Sequence, residues 1–132
     1  MSALAVDTSV WIDFLRGEAL SDLEDALERG FVLLPPLVCA ELLSSPLPAR
    51  KRAQLSSMLE DLPLHPTPFA HWARVGELRA ALLHAGLSVS TPDAHVAQCA
   101  IDCEGLLWSR DKIFGSIAKH TALRLFGGRA SR

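Results

Sequence analysis

Leu4-Ala5-Val6-Asp7-Thr8-Ser9-Val10-Trp11-Ile12-Asp13-Phe14-Leu15-Arg16-Gly17 changes its hydrophobic rhythm at Asp7. Before Asp7 comes a short unbroken apolar run, the mark of a strand buried on both faces. After it, apolar residues fall at 10, 11, 14 and 15, one face of a helix, with Thr8 or Ser9 as its cap and Gly17 as its stop. The strand-to-helix step then recurs. A helix is expected over about Leu20 to Arg29, Gly30 hands over to a strand Phe31–Leu34, and Pro35-Pro36 starts a helix over Leu37–Leu43. Ala49–Asp61 reads as a helix, the proline-punctuated Leu62–Pro68 as holding a short strand around Leu64-His65, and Phe69–His84 as a long helix before Gly86. Thr91-Pro92 supplies a cap and a first-turn proline for a helix through Glu104, which Gly105 ends. Leu106–Trp108 follows as a buried strand, Asp111–Ala118 as a short helix and Ala122–Phe126 as the last strand. Strands alternating with helices predict an α/β sandwich on a mainly parallel sheet.

The 132 residues suit one domain spanning 1–132. Apolar residues make up 49% and charged residues 21%, a globular balance that excludes disorder and collagen-like structure. No run approaches the length of a membrane span, and Met1–Asp7 lacks the basic head and apolar body of a secretion leader, so a cytoplasmic location is expected. Cys39, Cys99 and Cys103 are then expected as reduced, small apolar residues; the i, i+4 pair Cys99 and Cys103 has no partner pair to complete a metal site. Charge is uneven: residues 1–109 carry 7 basic and 14 acidic side chains, residues 110–132 carry 6 basic and one acidic. A net charge of −2 argues against binding nucleic acid with the whole surface, while the basic end could seat a phosphate backbone.

Three acids stand alone in apolar sequence. Asp7 is the only charged side chain in residues 1–12, Glu41 the only one in 35–49, and Asp93 the only one in 80–101. An ionised carboxylate taken out of water costs several kcal/mol unless something compensates it. Asp7 and Asp111 follow the ends of expected strands, where parallel sheets bind ligands. Asp93 lies in the first turn of its helix and Glu41 in the second turn of another. Each alone has a plain structural reading, as a cap, a partner of the helix dipole or a solvated side chain. Together they form an oxygen-only donor set without a matching His or Cys pattern, which suits Mg²⁺ or Mn²⁺ rather than Zn²⁺.

These residues resemble a known family. Ala5 to Gly17 is similar to the opening of PIN-domain ribonucleases, specifically the VapC toxins of toxin–antitoxin pairs. Ala40-Glu41-Leu42-Leu43, Thr91-Pro92-Asp93-Ala94-His95-Val96-Ala97 and Leu107-Trp108-Ser109-Arg110-Asp111-Lys112-Ile113-Phe114 resemble the later motifs, so the similarity runs along the whole chain. The resemblance implies a three-layer α/β/α sandwich and metal ligation by Asp7, Glu41, Asp93 and Asp111, with Ser9 holding the first carboxylate or a metal-bound water. It also implies a homodimer, and an antitoxin that wraps a groove formed by the exposed part of the Val10–Leu15 and Leu20–Leu27 helices. Many relatives carry a further acid where Ile113 stands, which would leave a second ion loosely held.

With such a ligand set a bound ion activates water and stabilises the leaving oxygen. Water rather than the ribose 2′-hydroxyl is then the nucleophile, and RNA is cut to 5′-phosphate and 3′-hydroxyl ends. Arg110 and Lys112 are candidate phosphate contacts, against a role in solubility. Arg50-Lys51-Arg52 reads as a solvated helix start. Trp11, Trp72 and Trp108 are expected in the core or at an interface. His95 lies close enough to Asp93 to approach substrate but has no second His at ligand spacing, which favours a structural role, and His65, His71, His84 and His120 are scattered and read as structural or solvated. Two rival readings are a catalytically idle binding scaffold and a phosphoacceptor domain; the second would need an acid beside Asp7 and finds none.

Overall fold

The computed structural model describes residues 2–128. Strand β1 is Leu4–Val6, and α1 (Thr8–Leu15) and α2 (Ser21–Glu28) lead to β2, Val32–Leu33. Helices α3 (Pro36–Leu43), α4 (Ala49–Glu60), α5 (Phe69–His84) and α6 (Thr91–Asp102) precede β3, Leu106–Trp108. Helix α7 (Ile113–Ala118), β4 (Arg124–Leu125) and a 3₁₀ turn, Phe126–Gly128, complete the described chain. The strands lie in the order β2-β1-β3-β4 and every pairing is parallel. Ala5 and Val6 are fully buried, as an inner strand covered by helices on both faces requires. The architecture is an α/β/α sandwich.

From β1 the chain crosses to β2 on one side, then returns to place β3 on the other side of β1. Between β1 and β3 the connections diverge, opening a crevice at the carboxyl ends of these strands, where open α/β sheets bind ligands. A bond from the Asp7 amide to the Trp108 carbonyl, 2.9 Å, carries the pairing up to the lip of that crevice.

Several boundaries differ from the sequence reading, each for a local reason. Asp7 itself occupies the N-cap position of α1, and Thr8 is already helical. Ser90, not Thr91, caps α6: its hydroxyl accepts the Asp93 amide at 3.2 Å, which puts Thr91 and Pro92 in the first turn. The left-handed residue after α6 is Glu104, φ 53°, rather than Gly105. Gly105 is required by space: a Cβ there would overlap the Ala3 carbonyl oxygen and lie 3.0 Å from the Cys103 sulfur. The strand expected at Leu64-His65 is reduced to one parallel bridge between Leu34 and Leu64, since Pro63 and Pro66 cannot extend a ladder. Helix α7 begins at Ile113, because the Asp111 carboxylate turns to accept the Ile113 amide at 3.1 Å. The last strand shortens to Arg124–Leu125, and Phe126 folds its ring against Trp108.

Candidate functional site

Asp7 stands at the carboxyl end of β1, only 8% exposed, between α1 and the loop after β3. Both Ser9 and Ser109 donate to its Oδ2, at 3.1 and 2.7 Å. Each hydroxyl also accepts a loop amide, Ser9 from Arg110 and Ser109 from Asp111, both at 3.0 Å. The loop after β3 is thus laced to Asp7 through two hydroxyls. Ser9 was legible in the sequence. Ser109, fully buried, was not singled out, although it sits two residues before Asp111 where such a lacing hydroxyl belongs.

Glu41 is exposed on α3 and accepts the Thr8 hydroxyl at 2.6 Å, so the first residue of α1 also steers the second acid. Asp93 is half-buried in the first turn of α6, and Asp111 is exposed after β3. Burial drives the Asp93 carboxyl above its ordinary pKa, and the charges of Asp111, Asp7 and Glu41 push it further up. Burial likewise raises Asp7, against the hydrogen bonds from Ser109 and Ser9, and Glu41 adds to the rise. Each acid therefore lies within electrostatic reach of others, around one crevice. Among the described residues none of the ion pairs involves Asp7, Glu41, Asp93 or Asp111.

An acidic, oxygen-only cluster without a cationic side chain fits a hard divalent ion such as Mg²⁺ or Mn²⁺, whose charge would remove the repulsion and lower both raised pKa values. No three of these carboxylates bring oxygens within 4.8 Å of one another.

Of the basic candidates, Lys112 is exposed beside Asp111. Arg110 lies with its guanidinium on Asp13 and Glu18, at 3.2 and 3.4 Å. Arg52 is not a plain solvated residue: its guanidinium donates to the carbonyls of Leu43 and Ser45, the latter at 2.7 Å, closing the end of α3. Arg129 and Arg132 of the basic end lie outside the described residues.

His65 and His71 take the structural of their two alternatives: both are buried, and they meet the fully buried His95 in the interior, a meeting the sequence does not announce. His65, His71 and Cys99 bring donor atoms within 4.8 Å of one another. Burial raises the Cys99 thiol far above its ordinary pKa, so a thiolate ligand is costly there. Cys39 and Cys103 are half-buried, and all three cysteines are free. Trp11 and Trp108 are in the core, while Trp72 is 37% exposed and stacks on His95. Among the described residues no helix is long and apolar enough to cross a membrane.

Comparison with the curated proteins returns no match. Solved structures of other proteins share the fold, three of them as follows. FitAcB from Neisseria gonorrhoeae is 19% identical, with a TM-score of 0.66 over 93% of this chain and 96% of that one. VapBC2 from Rickettsia felis, bound to a promoter DNA fragment, is 22% identical, with a TM-score of 0.73 over 93% and 96%. DNA-bound VapBC from Salmonella typhimurium is 18% identical, with a TM-score of 0.75 over 95% and 97%. At the level of sequence, the family model for the PIN domain matches residues 4–120, most of the chain and every acid of the crevice, and the chain belongs to that family.

Proposed function

We propose that this protein is a divalent-metal-dependent endoribonuclease acting as the toxin of a type II toxin–antitoxin module. The observation that carries the reading is the meeting of Asp7, Glu41, Asp93 and Asp111 around one crevice, laced through Thr8 and Ser109, with no cationic side chain among the described residues paired to them. Such a cluster is unfavourable for the fold alone and useful for holding Mg²⁺ or Mn²⁺.

The four carboxylates hold the ion or ions, with Asp7 the most firmly placed because Ser9 and Ser109 grip one of its oxygens. A bound divalent ion supplies activation of a water and charge stabilisation at the scissile phosphate. Thr8 keeps Glu41 turned to the crevice through its hydroxyl. Lys112 meets the RNA phosphates at the rim, and Arg110 joins it by exchanging Asp13 and Glu18 for phosphate. Attack by water leaves 5′-phosphate and 3′-hydroxyl ends.

The likeness to FitAcB and to two VapBC complexes supports an antitoxin partner; a homodimer is the arrangement the family resemblance implies. Leu15, 44% exposed, lines a cleft of about 270 Å³ with Leu47, Leu55 and Met58, an apolar seat between α1 and α4 for an antitoxin segment.

End-labelled RNA incubated with the protein and Mg²⁺ or Mn²⁺ tests the chemistry. Metal-dependent cleavage to 5′-phosphate ends is expected, abolished by chelator and by Asp93→Asn; a 2′,3′-cyclic phosphate product would refute the proposed attack by water. Growth arrest on expression, relieved by Asp7→Asn, tests the toxin role.

A further inference from the structure

Behind the crevice a chain of polar groups crosses the core. Asp102 on α6 faces His71 on α5, Oδ2 to Nδ1 at 3.2 Å; His71 Nε2 meets His95 Nδ1 at 2.8 Å; and the Leu37 amide of α3 donates to His95 Nε2 at 3.3 Å. One end of this chain has no freedom, because a backbone N–H can only donate. His95 Nε2 must therefore be bare. His95 then carries its proton on Nδ1 and gives it to His71 Nε2, which leaves His71 protonated on Nδ1, toward the Asp102 carboxylate. Every link has one direction, with both rings neutral in the Nδ1–H form. Arg74 and Gln98 hold Asp102 in place, at 3.0 and 2.8 Å. Trp72 stacks on His95 at 5.0 Å between centroids and shields it.

Leu37 is one of the first residues of α3, where amides lack partners within the helix. Pro35, in the cap position, offers no side-chain acceptor. His95 supplies that acceptor from a neighbouring helix. The bond joins the two helices that carry Glu41 and Asp93: Glu41 is one turn beyond Leu37 on α3, and Asp93 is two residues before His95 on α6. The charge of Glu41 on α3 is among those that push the Asp93 carboxyl of α6 upward, so the two acids feel one another across these helices.

We propose that the chain Asp102–His71–His95–Leu37 is a positioning device that ties α6 to α3 and so holds Asp93 and Glu41 at the spacing the site requires. The proposal rests on the carboxylate site described above. His95 and His71 are positioning residues, remote from the reacting atoms. The same rings are poor metal ligands, since both nitrogens of each carry a hydrogen bond; His65, whose Nε2 is 3.7 Å from Asp102, stands outside the chain.

Mn²⁺ affinity, helix content by circular dichroism and ring ¹⁵N spectra are measured on the whole protein. His95→Leu removes both bonds and is expected to stay folded and bind Mn²⁺ about 10- to 100-fold more weakly, the usual cost of losing an outer support of a metal site. His95→Gln retains an acceptor for Leu37 and is expected to recover most of that affinity. A folded His95→Leu protein with wild-type affinity would overturn the proposal. Where His95→Leu fails to fold, the wild-type spectrum decides: Nδ1–H tautomers at His71 and His95 support the chain, and an Nε2–H form at either overturns it. Stoichiometric Zn²⁺ uptake that shifts the His71 signals also overturns it, because a ligated ring cannot hold both bonds. A wild-type protein that binds no Mn²⁺ removes the carboxylate site and the purpose assigned here together, while the tautomer spectrum still stands or falls separately, which distinguishes the two failures.

Discussion

Asp7 is a charged group at a place where the fold alone would favour a neutral one. Its carboxyl pKa is raised chiefly by burial, so the ionised form strains the metal-free protein. Asp7→Asn keeps the shape and removes the charge. The expected outcome is opposite in two assays: RNA cleavage falls by at least about 100-fold, and the metal-free melting temperature rises by a few degrees. Adding Mg²⁺ should stabilise the wild type by about 2.7 kcal/mol at 100 times its dissociation constant, and leave Asp7→Asn nearly unmoved in a thermal shift assay. Lys112 makes a different prediction because it is exposed at the rim. Lys112→Ala should weaken RNA binding across sequences and reduce the slope of log affinity against log salt by about 1, with cleavage of bound RNA retained.

Among the elements, α6 does the most, since it carries Asp93 at one end, Asp102 at the other and a run of buried residues between. Its ends are secured by different means. Ser90→Ala removes the side-chain acceptor for the Asp93 amide and should cost about 1 kcal/mol in urea unfolding. It should also raise the Asp93 pKa further, because the Ser90 hydroxyl opposes that rise. Gly105→Ala meets backbone, not a side chain that can swing away, so a loss of about 1–3 kcal/mol is expected by the same measurement. The local signals for these elements lie within a turn or two of the residues they affect, which is why the helix order was legible. Where the reading slipped, from Thr91 to Ser90 and from Gly105 to Glu104, a neighbouring residue of equal local merit took the role.

For the molecule as a whole, acid acts on two sets of groups with opposite signs. Burial lowers the pKa of His65 and His95, the latter to about 4, so the unfolded chain takes up these protons first as pH falls below about 6.5. Stability due to neutral histidine is therefore present above that pH and is lost between about 6.5 and 4. Asp102, held near 2 by Arg74, Gln98 and His71 despite its burial, contributes stability above its ordinary 3.8 that disappears as pH falls through 2. The raised Asp7 and Asp93 act the other way, and their protonation relieves the metal-free site. Urea unfolding in chelator should show stability falling from pH 6.5 to 4 by on the order of 1–3 kcal/mol. His95→Gln should flatten that fall.

Hydrophobic period, glycine stops and proline starts were enough to read the alternation of strands and helices, and the isolation of Asp7, Glu41 and Asp93 in apolar sequence marked them out. Both signals are short in range: they depend on what a residue does to its own turn, or on the desolvation its neighbours impose. The order β2-β1-β3-β4, the hydroxyl grip of Ser109 on Asp7 and the meeting of His65, His71 and His95 could be read only in three dimensions. The bonds from His71 to His95 and from Ser109 to Asp7 join residues 24 and 102 positions apart, and nothing local distinguishes a histidine that will find such a partner from one that will face water.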